Sequence, residues 1–183
     1  MVLNFEYFPQ LITERLILRN IENSDTELIH KLRSDETANA FIGRENSSTL
    51  EKAQEFILKI QHLVQKNEGL YWIIRLKENN NLMGSVCLFN LDIENESVEI
   101  GYEMLPEFQG KGFMGEALKK VIAYTFEEIK AKKITACLTS DNIRSITILE
   151  KMNFKIEVKE HNNTHDNIKN LLTYTLKNSK VNQ

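Results

Sequence analysis

The sequence predicts a single mixed α/β domain, and three observations carry that prediction. Apolar periodicity runs strand, two helices, three strands, helix, strand, helix, two strands. No internal repeat, low-complexity block or linker breaks that order, so one domain spans 1–183, with a core at about 11–176 and a polar tail at 178–183. With 183 residues, 42% of them hydrophobic and 27% charged, the chain can bury a core without disulfide or metal staples.

Each element has its own local justification. LITERLILR (11–19) alternates in part and is rich in branched apolar side chains, which predicts a first strand. In NSDTELIHKL, Ser24 with Glu27 three residues on reads as a capping box that opens a helix. Ser48 and Glu51 repeat the pattern before a second helix, where Leu50, Ala53, Phe56, Ile57, Ile60, Leu63 and Val64 share one face. LYWIIRLK (70–77), LMGSVCLFNL (82–91) and SVEIGYEML (97–105) are strand-like runs with short polar breaks, an antiparallel meander. Met114, Ala117, Leu118, Val121, Ile122, Thr125 and Phe126 then form a helical stripe. ITACLT (134–139) reads as a strand and NIRSITILEKMN as a helix. FKIEVK and NLLTYTLK read as late strands.

Composition also narrows the function. A net charge of −3 offers no basic footprint for nucleic acid. The first residues lack a cationic stretch followed by an apolar run, so no secretory signal is expected. No window approaches the roughly 18 apolar residues of a membrane span. Cys87 and Cys137 are isolated, the pattern of two buried thiols in a cytoplasmic protein. His161 and His165 lie in EHNNTHDN, which is too polar for a helix and lacks further ligands at metal spacing, so no metal is expected.

The chemistry concentrates in PEFQGKGFMGEAL (106–118), which holds three of the chain's seven glycines. Gly110, Gly112 and Gly115 spell G-x-G-x-x-G, but the context is wrong for a dinucleotide. PEFQ separates the preceding strand from Gly110, and too little chain follows Asp141 for further βα units. A G-x-x-x-x-G-K-[ST] loop is absent. What survives is a loop whose amides can approach an anion where a helix begins, with Lys111 at the rim. Taken alone, the loop leaves open the alternative of a glycine-rich turn that holds no ligand.

QGKGFMGEAL resembles the acyl-coenzyme-A loop of the GNAT (GCN5-related N-acetyltransferase) superfamily, whose pattern is Q/R-x-x-G-x-G/A. Gln109 and Gly112 fit, and Met114 stands where the strict pattern has glycine or alanine. That departure is familiar in the RimJ/RimL-like branch. LITERLILR, EIGYEMLPEFQGKG and NIRSITILEKMNF resemble the same branch, in order, over residues 11 to about 176. Asn153 replaces the glycine that usually ends the last of these motifs. Asparagine is the next-best residue in the left-handed conformation, so the backbone there should be kept.

The resemblance implies a GNAT acyl-CoA N-acyltransferase fold, a mostly antiparallel sheet in which the family's fourth and fifth strands, here 97–105 and 134–139, form a splayed parallel pair. It implies acetyl-CoA as co-substrate and no metal. The backbone of Tyr102, Glu103 and Met104 would lie beside the pantetheine arm. Gln109, Gly110, Lys111, Gly112, Phe113, Met114 and Gly115 would surround the pyrophosphate. Asn142 and Ser145 would contact the cofactor too, although Asn142 would equally cap the helix it opens.

The implied reaction is acetyl transfer to a primary amine by direct attack in a ternary complex, in the cytoplasm. The position of the usual tyrosine acid is Leu149, so Ser145 is the candidate acid, with close packing as its alternative. Lacking that tyrosine, the chain could instead be a catalytically silent CoA-binding module. Candidate bases are Glu103, Glu99 four residues earlier on the same face, and Glu160; the first two could also be solvated strand carboxylates. The acceptor would be a protein α-amine or a small-molecule amine. Residues 22–55 carry eight acidic and four basic side chains, which suits a cationic acceptor or simply a solvated surface. No nucleic-acid or membrane partner is implied, and a homodimer fits the resemblance.

Overall fold

The structure, a computed structural model, describes residues 1–35, 49–157 and 171–179. Among these, eight strands form one sheet. They are β1 (Leu11–Ile12), β2 (Leu16–Asn20), β3 (Leu70–Leu76), β4 (Leu82–Asp92), β5 (Ser97–Met104), β6 (Lys133–Thr139), β7 (Lys155–Ile156) and β8 (Leu171–Lys177). Their order across the sheet is β1-β2-β3-β4-β5-β6-β8-β7. Every neighbouring pair is antiparallel except β5 and β6, which run parallel. Four helices complete the described fold: α1 (Thr26–Ser34), α2 (Leu50–Gln65), α3 (Phe113–Glu127) and α4 (Ile143–Lys151).

Alternation along the strands sorts side chains to the two faces of the sheet. One face carries Leu16, Leu18, Trp72, Ile74, Val86, Leu88, Val98 and Ile100. It packs on Met114, Ala117, Leu118 and Val121 of α3 and on Leu149 of α4. The other carries Tyr71 and Ile73, and packs on Leu28, Ile29 and Leu32 of α1 and on Ala53 and Ile57 of α2. The sheet therefore has a helical layer on each side, which is why β3 is buried over most of its length.

Several local expectations need correction. The stretch 11–19 is not one strand. Thr13 folds it back on itself, its N–H donating to the Leu16 carbonyl at 3.0 Å, and Leu11 pairs with Leu18. Ser24 and Glu27 do not cap α1: the Asp25 carboxylate accepts from the Glu22 N–H at 2.8 Å within a short 3-10 turn, one turn ahead of the helix. At α2 the capping hydroxyl is Thr49, which accepts from the Lys52 N–H at 3.3 Å; Ser48 lies outside the described residues. Leu50, placed on the apolar face of α2, is 46% exposed in its first turn.

The end of α4 follows the expected geometry. Asn153 has φ 65°, in the left-handed region. Its N–H donates to the Glu150 carbonyl and that of Phe154 to the Leu149 carbonyl, both at 3.0 Å. This is the Schellman arrangement, with Phe154 buried as its apolar partner.

Candidate active site

The site begins where two strands part. β5 and β6 pair only at Ser97–Lys133, Val98–Ile134 and Glu99–Thr135. Beyond Glu99 they diverge, while β5 stays bonded to β4 as far as Met104 and β6 stays bonded to β8 as far as Thr139. The splay expected for 97–105 and 134–139 is therefore present. Among the described residues, it leaves the β5 backbone from Ile100 onward with an open edge, which an extended amide-bearing ligand can use as an added strand would. A cleft of about 360 Å³ passes through the gap, large enough for an organic ligand.

At the far end of β5 the chain makes a 3-10 turn over Pro106–Phe108 and enters the glycine loop. Gly110 and Gly112 have φ of 74° and 79°, a conformation that glycine adopts without strain. Gly112 is the N-cap of α3 and has no side chain to spend on capping, so the first-turn amides stay available to an anion. Space beside Gly110 is open. Gly115 plays a different part: it lies inside α3, and a Cβ there would stand 3.8 Å from the Met152 side chain. These features fit the diphosphate of coenzyme A.

Other loop residues divide between the ligand side and the frame. Lys111 is exposed at the rim, 5.9 Å from the centre of the Phe108 ring. Met114 and Met104 are buried in the core, so only their backbones can serve a ligand. Even there the Met104 carbonyl is engaged, accepting from the Gln109 side-chain amide at 2.8 Å. Arg144 donates to the other end of that amide at 2.5 Å. Gln109 thus ties β5, the loop and α4 together rather than pointing a free side chain at a ligand.

The sequence reading missed Arg15. Its guanidinium binds Glu116 in the first turn of α3 at 2.6 Å, donates to the Lys111 carbonyl at 3.2 Å and lies 4.5 Å from the Phe113 ring centre. Thr13 and the Arg15 backbone N–H reach the same carboxylate at 2.5 and 2.8 Å. Burial alone would raise the Glu116 carboxyl. These donors outweigh it and hold the group below its ordinary range. The polar break in LITERL that splits the first strand is the only sequence sign of this clamp.

The chemistry-bearing side chains sit on both sides of the gap. Glu103 lies on the α1/α2 face, where its carboxylate accepts from the Tyr71 hydroxyl at 3.1 Å and from Ser85 at 3.2 Å. Burial, then the adjacent Glu103 charge, pushes the Tyr71 phenol well above its usual value, so it remains a donor. Glu99 is on the same face but 7% exposed, and it accepts from the Asn90 amide at 2.8 Å. It is a buried, bonded carboxylate and not a solvated one. Burial, then Glu99, pushes the Cys137 thiol up to about 11, so it stays protonated. Glu160 lies outside the described residues, as do His161 and His165.

The opposite face holds the α4 residues. Asn142 caps that helix, accepting from the Ser145 N–H at 3.1 Å. Ser145 and Leu149 line the cleft. Tyr102, expected to contribute only backbone, also lines it. Its hydroxyl oxygen is buried and has no hydrogen-bond partner among the described residues. Burial pushes that phenol up to about 12, and the nearby Ser145 hydroxyl offsets part of the rise without meeting it at bonding geometry.

Comparison with known proteins identifies the family. A family model for the acetyltransferase (GNAT) domain matches residues 15–155. The uncharacterized N-acetyltransferase YoaA of Bacillus subtilis is 35% identical over 150 residues, 82% of this chain and 85% of that protein. Among solved structures, RimL, a ribosomal L7/L12 alpha-N-protein acetyltransferase in complex with coenzyme A, superposes with a TM-score of 0.80 at 18% identity, covering 92% of this chain and 98% of that one. Spermidine N-acetyltransferase from Vibrio cholerae, solved with coenzyme A and spermine, gives 0.77 at 22% identity over 92% and 98%.

Proposed function

This chain belongs to the acetyltransferase (GNAT) domain family, and from that premise we propose that it is a cytoplasmic, RimJ/RimL-like enzyme that acetylates a primary amine from acetyl-CoA by direct attack. One observation carries the mechanism: the gap between β5 and β6 joins a carboxylate on one face of the sheet to hydroxyls on the other. The amine approaches from the α1/α2 face, where Glu103 takes its proton, directly or through a water. The open edge of β5 supplies backbone N–H groups that hold the pantetheine arm and stabilise the oxyanion of the tetrahedral intermediate. The thiolate departs toward α4, where Ser145 stands on the protonating side. The glycine loop and the N-terminus of α3 hold the diphosphate.

Glu103 and Glu99 both line the cleft on the acceptor face, which favours an amine that arrives as a cation, whether a protein N-terminus or a small amine. A screen of acetyl-CoA turnover against amines and amino-terminal peptides tests this. Turnover with at least one cationic amine is expected, and none across the panel would overturn the enzymatic reading. The second reading, a silent CoA-binding module, is favoured by Leu149, which is buried at the usual tyrosine position and cannot donate a proton. It predicts coenzyme A binding in calorimetry with no turnover.

A further inference from the structure

The unassigned group in the cleft is the Tyr102 hydroxyl. Among the described residues its oxygen is buried without a hydrogen-bond partner, whereas Tyr71, two strands away in β3 and facing the other way, gives its hydroxyl to Glu103. A buried hydroxyl left unpaired has given up its water without gaining a bond in return, so such a group calls for a reason. Packing does not supply one: phenylalanine would fill the same space among the apolar residues against which Tyr102 lies. The position is suggestive. Tyr102 is three residues beyond the last β5–β6 pair, on the open segment of β5, and its side chain points to the α3/α4 face, where Ser145 stands beside it. Glu103, the next residue, points to the opposite face.

We propose that the Tyr102 hydroxyl is the donor that hydrogen-bonds the thioester sulfur and delivers its proton to the departing thiolate, with Ser145 resupplying that proton. This rests on the acetyl-transfer reading above. In the step, the ammonium first gives one proton to Glu103, which releases it to solvent. The freed nitrogen then forms a bond to the acetyl carbon and gives its second proton to Glu103. The carbon–sulfur bond breaks, its electron pair goes to sulfur, and sulfur takes the Tyr102 proton. Tyr102 regains a proton from the Ser145 hydroxyl, Ser145 takes one back from solvent, and Glu103 releases its proton to solvent. The products are the amide and free coenzyme A, with no other reactant. With its phenol up at about 12, Tyr102 is a neutral donor throughout the working pH range.

The experiment pairs turnover with a titration that needs no turnover. Tyr102→Phe should lower kcat by about 10²-fold at every pH tested while leaving the KM for acetyl-CoA unchanged. The double variant with Ser145→Ala should be little worse than Tyr102→Phe alone, because the two act in series. Independently, the thiol of bound coenzyme A, followed by thiolate absorbance, should titrate lower in the unmutated protein than in Tyr102→Phe. If coenzyme A binds and the amine is acetylated, but Tyr102→Phe retains full kcat or the same thiol titration, the role of Tyr102 is refuted and the acetyl-transfer reading stands. If the unmutated protein neither binds coenzyme A nor turns over, both fall together.

Discussion

Glu103 and Glu99 show how two identical side chains four residues apart acquire different work. Glu103 accepts from two hydroxyls at the mouth of the gap, whereas Glu99 is sealed at the last β5–β6 pair by Asn90. Glu103→Gln keeps the shape and removes the basicity. We expect kcat to fall by about 10²-fold at pH 7 and to recover in part at high pH, where the amine deprotonates unaided. A pH–rate profile that overlays that of the unmutated enzyme would exclude Glu103 as base. Glu116 supports a stability prediction of a different sign structure. Its folded carboxyl is held below the ordinary value, so its contribution is present above the unfolded pKa of about 4.3 and disappears as pH falls through the lower folded value. At pH 7, Glu116→Gln should cost about 1–2 kcal/mol in denaturant unfolding, the lower part of the range for charged hydrogen bonds because Arg15 is 42% exposed. That difference should narrow as pH falls below the unfolded value of about 4.3; a constant gap would contradict it.

At the scale of elements, the strand that carries the site is held in place by a glycine on its neighbour. Gly84 lies opposite Met104 in β4, and a Cβ built there would stand 2.2 Å from the Glu103 carbonyl and 2.8 Å from the Met104 Cα. Backbone cannot yield as a flexible side chain can. Gly84→Ala should therefore push the end of β5 outward, costing about 1–3 kcal/mol of stability, and it should depress acetylation more than a surface change of equal thermodynamic cost. Normal stability and turnover in that variant would show that β5 moves freely. A second device joins elements by an ion pair: Arg19 in β2 grips Asp25 ahead of α1 through two bonds of 2.6 and 2.8 Å, with Asp25 fully buried. Asp25→Ala should cost about 3–5 kcal/mol, since it leaves a guanidinium that is only 16% exposed without its counter-charge. An effect below 1 kcal/mol in thermal unfolding would mean that water replaces the carboxylate.

For the whole molecule, coenzyme A at a concentration 100-fold above its dissociation constant should add about 2.7 kcal/mol of stability, a rise in Tm of roughly 5–10 °C for a chain of this size. No shift would argue against the glycine loop as a binding site. How much of this molecule could be read from its residues depends on the range of the interaction. The meander, the α3 stripe and the left-handed Asn153 were legible because periodicity and backbone preference act within a few residues. Arg15 was not, because its partners Lys111 and Glu116 lie about a hundred positions away and nothing local to LITERL marks them. Glu99 looked like a solvated carboxylate for the same reason: only the sheet brings Asn90 and Cys137 against it. Tyr102 was read for its backbone alone, since the isolation of its hydroxyl is a property of the surrounding space and not of any motif.

The divergence of β5 from β6 has one more consequence. It makes the sheet a partition with a slot, and under the mechanism proposed above the acyl donor and the amine would come to the same bond from opposite sides. Neither has to pass the other to enter or leave, and each product can withdraw by the door its parent used. Such a plan allows the two substrates to bind in either order. A single inhibitor that joins an amine to a CoA-like tail would have to pass through the slot, occupying both doorways at once.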